Sequence, residues 1–167
     1  MTYARGLRRL AAGAALGAVL TAAPALAAPS PASNYIKVVN QARHHCVAVA
    51  QAWLKIEDRG DYGRSWTYMS LHARVAVSKA RWVLSNEKTR RSVGVLKKRV
   101  LKSALLTEML PHAVPGDYVV VRFDSDFSNM KSAAEIVTVR LDPDGVWRVD
   151  GYDINTRMAA DLYSGGT

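Results

Sequence analysis

Cysteine is almost absent from this sequence: Cys46 is the only one in 167 residues. An intramolecular disulfide is therefore excluded, and the fold must be held together by packing alone. Cys46 also lies on the apolar stripe of a predicted helix. Because reactive cysteines are exposed and close to cations, we expect Cys46 to be a small buried hydrophobic residue.

Long hydrophobic runs are missing beyond the N-terminal segment, so no later stretch is expected to span a membrane. The N-terminal segment has three arginines, an uncharged Ala/Leu/Val run over residues 10–23 and then Pro-Ala-Leu-Ala. This pattern is typical of a secretory signal peptide. We predict a signal peptide over residues 1–27, cleaved after Ala27 or Ala28, and a Pro/Ser linker over residues 28–33. The protein is accordingly expected to be periplasmic or secreted.

Motifs for catalysis, metals and cofactors are also missing. The sequence has no recognisable serine or cysteine hydrolase motif, zinc-ligand spacing, Gly-rich phosphate loop or dinucleotide fingerprint. His44, His45 and Cys46 are consecutive in a predicted helix. Successive helical side chains point about 100° apart, so these three cannot converge on one ion. We therefore predict neither a metal nor a cofactor.

The charge of the chain is mainly of one sign. Lysine and arginine number 23 against 14 acidic residues, for a net charge of +9. Without residues 1–27 the balance is 20 against 14, or +6. A basic exported protein is expected to meet anionic lipids or acidic wall polymers, and nucleic acid is not an expected partner. For the basic segment over residues 88–102, a solvated surface is the default interpretation, and attachment to an anionic surface is the functional one. The residues predicted to contact an anionic surface are Arg90, Arg91, Lys97 and Lys98.

Apolar residues recur every three or four positions in the N-terminal half, which predicts helices with one buried face. The first helix is expected over residues 35–58, with Ser33 or Asn34 as its N-cap. Gly60 should end it in a tight turn, because glycine enters the left-handed region without a steric penalty.

A second helix is predicted after that turn, over residues 65–79, with Ser65 as its N-cap. Trp82 and the residues after it should begin or continue another helical stretch. Gly94 marks the break at which this helical half of the chain should end.

The C-terminal half changes to the pattern of β-strands. Residues 100–110 fit a helix or a strand by periodicity, and we interpret them as a strand because β-structure follows. Further strands are predicted over residues 118–127, 134–141 and 146–155, with a bend or bulge at Gly151. The order predicts one α+β domain over residues 34–155, followed by a polar tail over residues 156–167. Its helices should cover one face of a curved antiparallel sheet of about four strands.

Aromatic, glycine and charged residues recur in a characteristic order over residues 48–154. They are Trp53-Leu54, Asp58, Gly60, Tyr62, Ser65-Trp66, Trp82, Arg90, Gly94, Arg99, Gly116-Asp117-Tyr118, Phe123, Phe127, Gly145, Trp147 and Gly151-Tyr152. This order resembles the bacterial exported family known as domain of unknown function 4019. The resemblance implies no activity or site residues, since that family has none established. Ser92 departs from the family pattern, in which proline is expected.

The order of elements is in turn similar to the cone-shaped fold of nuclear transport factor 2-like (cystatin-like) and ketosteroid isomerase-like proteins. That fold hosts many functions. We predict a non-catalytic module that binds a small apolar ligand, or a protein or envelope partner, at the open end of the cone. A homodimer is a further alternative. The aromatic residues expected to line the ligand site are Trp53, Tyr62, Trp66, Trp82, Phe123 and Tyr152. Such rings also fill cores, which is the competing interpretation.

The runner-up function is an isomerase or cyclase of the ketosteroid isomerase-like type. It requires a carboxylate base and hydrogen-bond donors that converge in an apolar pocket. The candidate carboxylates are Asp124, Asp126, Asp150 and Asp153. The candidate donors are Tyr62, Tyr118 and Tyr152. Because nothing in the sequence brings a base and a donor together, catalysis is left uncertain and is less expected than binding.

Overall fold

Helices precede strands in this protein, whose computed structural model describes residues 30–156. The helices are α1 (Pro31–Asp58), α2 (Tyr62–Thr67), α3 (Leu71–Ala76) and α4 (Lys79–Val93). The strands are β1 (Leu96–Thr107), β2 (Tyr118–Phe127), β3 (Ala133–Leu141) and β4 (Trp147–Thr156). The predicted signal peptide and residues 157–167 of the predicted tail lie outside the described residues.

Helix α1 begins earlier than predicted. The Ser30 hydroxyl accepts a hydrogen bond from the backbone N–H of Ser33 at 3.2 Å, and Pro31 occupies the first turn, where no donor is needed. The prediction of a linker through residue 33, with Ser33 or Asn34 as the cap, is therefore wrong. The Pro and Ser residues at positions 30–33 form the N-cap and the first turn of α1. The predicted end at residue 58 is confirmed.

The single helix predicted over residues 65–79 is instead two short helices and the start of α4. Asp61 is the N-cap of α2, and its carboxylate accepts a backbone N–H of the first turn at 3.2 Å. Ser65, the predicted cap, is buried inside α2. Ser70 caps α3, and its backbone N–H donates to the carbonyl of Val149 in β4 at 2.8 Å. Pairing with a strand distant in sequence thus interrupts the helical pattern.

The sheet is an antiparallel meander in the order β1-β2-β3-β4, as predicted. The interpretation of residues 100–110 as a strand is confirmed for residues 100–107, but β1 begins earlier, at Leu96, and ends at Thr107. Strand β2 has the predicted bounds. A bulge at Asp150 lies beside Gly151, where a bend or bulge was predicted. One face of β2 is buried at Val119, Val121, Phe123, Ser125 and Phe127.

The core lies between the helices and the sheet, which confirms the α+β arrangement. Trp53, Trp82 and Phe123 are at most 9% exposed. The Trp53 ring packs edge-on against the rings of Trp82 and Tyr152, with centroid distances of 6.1 and 5.2 Å. Cys46 is fully buried in the same cluster, as predicted, and burial raises the pKa of its thiol to about 12.

Candidate functional site

An apolar groove of about 500 Å³ lies where the C-terminal half of α1, helix α2 and the start of β4 meet. Aliphatic and aromatic side chains form its walls, and three arginines complete its lining. Its volume is within the range of small-molecule sites. We name it the apolar groove. It is lined by Val49, Ala52, Trp53, Ile56, Arg59, Arg64, Tyr68, Val146, Trp147, Arg148 and Val149.

Helical spacing builds one wall of the apolar groove. Four α1 residues contribute to it, spaced by three and four so that they share one helix face: Val49, Ala52, Trp53 and Ile56. The Trp53 indole N–H donates to the carbonyl of Ser65 at 3.0 Å, which holds α2 beside α1. Gly145, in the left-handed region at φ 76°, turns the chain into β4 and brings Trp147 to the opposite wall.

The arginines of the groove differ in their partners. Arg148 donates to Asp142 at 2.9 Å and to Asp144 at 2.8 Å. Its hydrogen bonds to Asp144 lower the pKa of that carboxyl. Arg64 lies over the ring of Tyr68, at 5.8 Å from its centroid. Among residues 30–156, neither Arg59 nor Arg64 forms an ion pair with a carboxylate.

A second, polar cleft of about 770 Å³ lies between the end of α1, helix α4 and the start of β1. Its lining mixes carboxylates with guanidinium groups, so it has no dominant charge. Glu57 lies at this cleft, yet its side chain is only 1% exposed. Neither of its carboxyl oxygens has a hydrogen-bond partner within 3.5 Å among the described residues.

Burial raises the pKa of Glu57 to about 7. The nearby Ser65 hydroxyl, the charge of Arg90 and the Trp82 indole oppose that shift without reversing it. The Ser65 hydroxyl is already bonded to the Tyr62 carbonyl at 2.9 Å, so it is not free to donate to Glu57. A small rise in pH near neutrality can therefore ionise Glu57 while its side chain is buried inside the domain.

Beneath the polar cleft, a buried ionic network joins helices to strands. The Glu135 carboxylate, which is fully buried, accepts from Arg99 at 2.5 Å, from Ser125 at 2.8 Å and from Tyr152 at 2.7 Å. Arg99 also donates to Asp58 at 2.7 Å. Burial disfavours the charged guanidinium, but the hydrogen bonds to these two carboxylates raise the pKa of Arg99. Because every member is bonded to another, this network fixes the structure and leaves no free reactive group.

The six aromatic residues predicted to bind a ligand lie in one core cluster. Three are buried and three are partly buried against them. The five cavities described here do not bring them together: Trp53 lines the apolar groove, Tyr62 the polar cleft, and Tyr152 a pocket behind the sheet. Trp66, Trp82 and Phe123 line none of these five. Core packing accounts for all six, and their contact with a ligand stays a prediction.

The predicted anionic-surface residues do not all lie at the surface. Arg91, Lys97 and Lys98 are exposed. Arg90 is only 8% exposed, and its guanidinium donates to Asp58 at 2.9 Å. It also lies over the rings of Phe127 and Tyr152, at 5.5 and 5.7 Å. The placement of Arg90 at a surface is therefore wrong, because an aspartate and two rings compensate its burial.

The carboxylates and tyrosines of the isomerase alternative do not pair with one another, although Asp150, Asp153 and Tyr152 all line the pocket behind the sheet. Asp153 is exposed, and Asp124 and Asp126 are half-exposed. Tyr118 donates its hydroxyl hydrogen to the Val114 carbonyl at 2.6 Å, and Tyr152 is bonded to Glu135. Burial, with Glu135 adding to it, raises the pKa of Tyr152 well above its usual value. Within residues 30–156, none of the four candidate aspartates hydrogen-bonds to a candidate tyrosine.

Asp150, the fourth candidate carboxylate, is engaged at the bulge of β4. The Ser70 hydroxyl donates to it, and Nδ1 of His72 lies 3.2 Å from the same oxygen. This is not a catalytic triad, because serine and histidine both bond to the aspartate and not to each other. The Ser70 oxygen also caps α3. The contact therefore docks α3 onto β4.

Sequence reasoning missed Glu57 and Glu135. Glu57 continues the apolar stripe of α1, four residues after Trp53 and seven after Ala50, which is a core position. Glu135 lies two residues before the buried Val137, on the same face of β3. The available signal was a carboxylate at a position that helical spacing, for Glu57, or strand alternation, for Glu135, assigns to the core. No comparable signal in the sequence marked Arg59, Arg64 and Trp147 as residues of the apolar groove.

In the part of the chain that the structure describes, no three metal-ligating side chains are grouped closely enough to hold an ion. Within residues 30–156, no helix has both the length and the hydrophobicity that a membrane span requires. A family model described as "Protein of unknown function (DUF4019)" matches residues 49–152. Comparison with curated proteins and with solved structures gives no match.

Proposed function

The chain belongs to the protein family of unknown function DUF4019, a description that leaves the activity open, and we propose that its domain is a non-catalytic module that binds a small apolar ligand in the apolar groove. The observation that supports this proposal is the groove itself. Trp53, Ile56 and Trp147 offer an aromatic and aliphatic lining in a space of about 500 Å³. Sites of this size and composition are the usual places for small apolar ligands.

The carboxylates of Glu135 and Asp150 and the phenol of Tyr152 are already hydrogen-bonded within the domain, which supports binding over catalysis. An isomerase requires a carboxylate and a donor that are free to meet a substrate. Here Tyr152 and Glu135 are bonded to each other in the core. Asp150 is bonded to Ser70 and His72. The runner-up enzyme function therefore has less support than the binding module.

The test uses N-phenyl-1-naphthylamine, an uncharged probe whose fluorescence rises in an apolar site. Titration of the purified protein should give a saturable rise, and Ile56→Gln should weaken binding about ten-fold through the loss of an apolar wall contact. Val75→Gln is the matched control, since Val75 is exposed on α3 and lines none of the described cavities. Absence of saturable binding, or equal loss in both variants, would contradict the proposal.

A second proposal concerns location and attachment. We infer an exported protein, periplasmic or secreted, that attaches to anionic envelope surfaces through exposed cations. The exposure of Arg91, Lys97 and Lys98 within eight residues of one another supports it. Reversal of these three charges to glutamate should abolish salt-sensitive sedimentation with phosphatidylglycerol vesicles. Sedimentation that is indifferent to both salt and charge reversal would exclude this attachment.

A further inference from the structure

The charged groups that line the apolar groove all carry the same sign. They are Arg59, Arg64 and Arg148, and among the described residues that line this groove none is acidic. The polar cleft, which Arg59 also lines, is different because it contains carboxylates as well as guanidinium groups. A purely apolar ligand gives no role to cations at the rim. The sign of the charge therefore carries information about the ligand.

Two of these arginines are available to a ligand. The charge of Arg148 is compensated by Asp142 and Asp144, at 2.9 and 2.8 Å. Arg59 and Arg64 are exposed, and they form no ion pair with a carboxylate among residues 30–156. They follow α1 and lie within α2, respectively, so the turn between these helices brings them to one groove.

The guanidinium of Arg64 is also oriented by its surroundings. It lies over the ring of Tyr68, which itself lines the groove, at 5.8 Å. Stacking on an aromatic face leaves the N–H groups at the edge of a guanidinium free to donate. Such an edge binds carboxylate or phosphate oxygens in a forked geometry. The groove thus places oxyanion donors beside an apolar wall formed by Trp53, Ile56 and Trp147.

We propose that the apolar groove binds a single-chain amphiphile with an oxyanion head, whose chain packs between α1 and β4 and whose head contacts Arg59 and Arg64. This inference rests on the proposed binding function and specifies its ligand class. The occupant is a free amphiphile in solution. A lipid in a bilayer would have to leave its membrane to place its chain in the groove.

The experiment measures displacement of N-phenyl-1-naphthylamine by two amphiphiles of equal chain length, each below its micellar concentration. Dodecanoate carries a carboxylate, and dodecyltrimethylammonium carries a cation. Dodecanoate should displace the probe at a concentration at least about ten-fold lower, and added salt should reduce that preference. Arg59→Gln/Arg64→Gln should remove the preference and leave binding of the uncharged probe in place. Arg43→Gln, an exposed site on the opposite side of α1, is the control and should retain it.

The outcomes separate this inference from the proposed function. Equal displacement by both amphiphiles, with the probe still bound, would overturn the anionic head and leave the apolar site. Failure of the wild-type protein to bind the probe or either amphiphile would overturn both. Binding of phosphatidylglycerol vesicles that depends on Arg59 and Arg64, without displacement by free dodecanoate, would identify a membrane contact and overturn the inference. If the double variant does not fold, the salt dependence of the wild-type preference decides, because a preference unaffected by salt contradicts a charged head.

Discussion

Glu57→Gln should remove a pH-dependent loss of stability that the wild-type domain carries. Glu57 is 1% exposed without a hydrogen-bond partner among the described residues, and burial raises its pKa from 4.5 to about 7. In the unfolded chain the same carboxyl ionises near 4.5. Between these two values the native state binds more protons than the unfolded state, so the free energy of unfolding falls as the pH rises.

The size of this loss follows from the shift. Each pKa unit corresponds to about 1.4 kcal/mol, so a shift from 4.5 to about 7 amounts to about 3 kcal/mol. The loss accumulates from about pH 4.5 and is complete above about pH 7. For a domain of this size, 3 kcal/mol is a substantial part of a total of about 5–15 kcal/mol.

Urea unfolding followed by tryptophan fluorescence, repeated between about pH 4.5 and pH 8, measures the effect. The amide of the variant adds an offset that does not change with pH, so the diagnostic is the pH-dependent part of the difference between the proteins. That part should grow to about 3 kcal/mol in favour of Glu57→Gln. Glu87→Gln, an exposed glutamate of the same cleft, is the control and should keep the wild-type profile. Parallel wild-type and Glu57→Gln profiles would refute the reasoning.

Two further substitutions test the fold around the site. Gly94→Ala should destabilise the domain by about 2 kcal/mol, because Gly94 ends α4 at φ 82° and an added Cβ would collide with a side chain of the β2–β3 loop. Thermal unfolding measures this, with Ser92→Ala as the exposed neighbouring control. Tyr152→Phe should cost about 1–2 kcal/mol, because it removes a 2.7 Å hydrogen bond to the buried Glu135. Urea unfolding measures that loss, with Tyr68→Phe as a control at an exposed ring.

For each of these two substitutions, one result would contradict the prediction. A Gly94→Ala domain as stable as the wild type would mean that the turn after α4 relaxes without strain. A Tyr152→Phe domain that loses no more stability than Tyr68→Phe would mean that the ionic network satisfies Glu135 without the phenol.

Elements that depend on a local pattern could be predicted from the sequence. Alternation over residues 118–127 gave the bounds of β2, and helical spacing placed Cys46 in the core. The region after α1 was misjudged because its helices are separated by a contact between Ser70 and β4. That contact joins residues far apart in the chain, and no local pattern encodes it.

The same reason explains the errors at the candidate site. Arg90 is chemically like its exposed neighbour Arg91, and only the proximity of Asp58 and two aromatic rings buries it. Trp53, which lines the apolar groove, was among the residues predicted to contact a ligand. Its partner wall at Trp147 comes from the other end of the domain. A site assembled from α1, α2 and β4 becomes visible only once the sheet has closed against the helices.

The most direct test of the account is a titration with dodecanoate followed by two-dimensional ¹H–¹⁵N NMR. The chain has four tryptophans, so the indole N–H region of the spectrum should contain four signals, one for each ring. Binding in the apolar groove should shift the indole signals of Trp53 and Trp147, which line it, and leave those of Trp66 and Trp82 in place. Shifts confined to Trp66 and Trp82, or no saturable shift at any indole, would contradict a ligand site between α1 and β4.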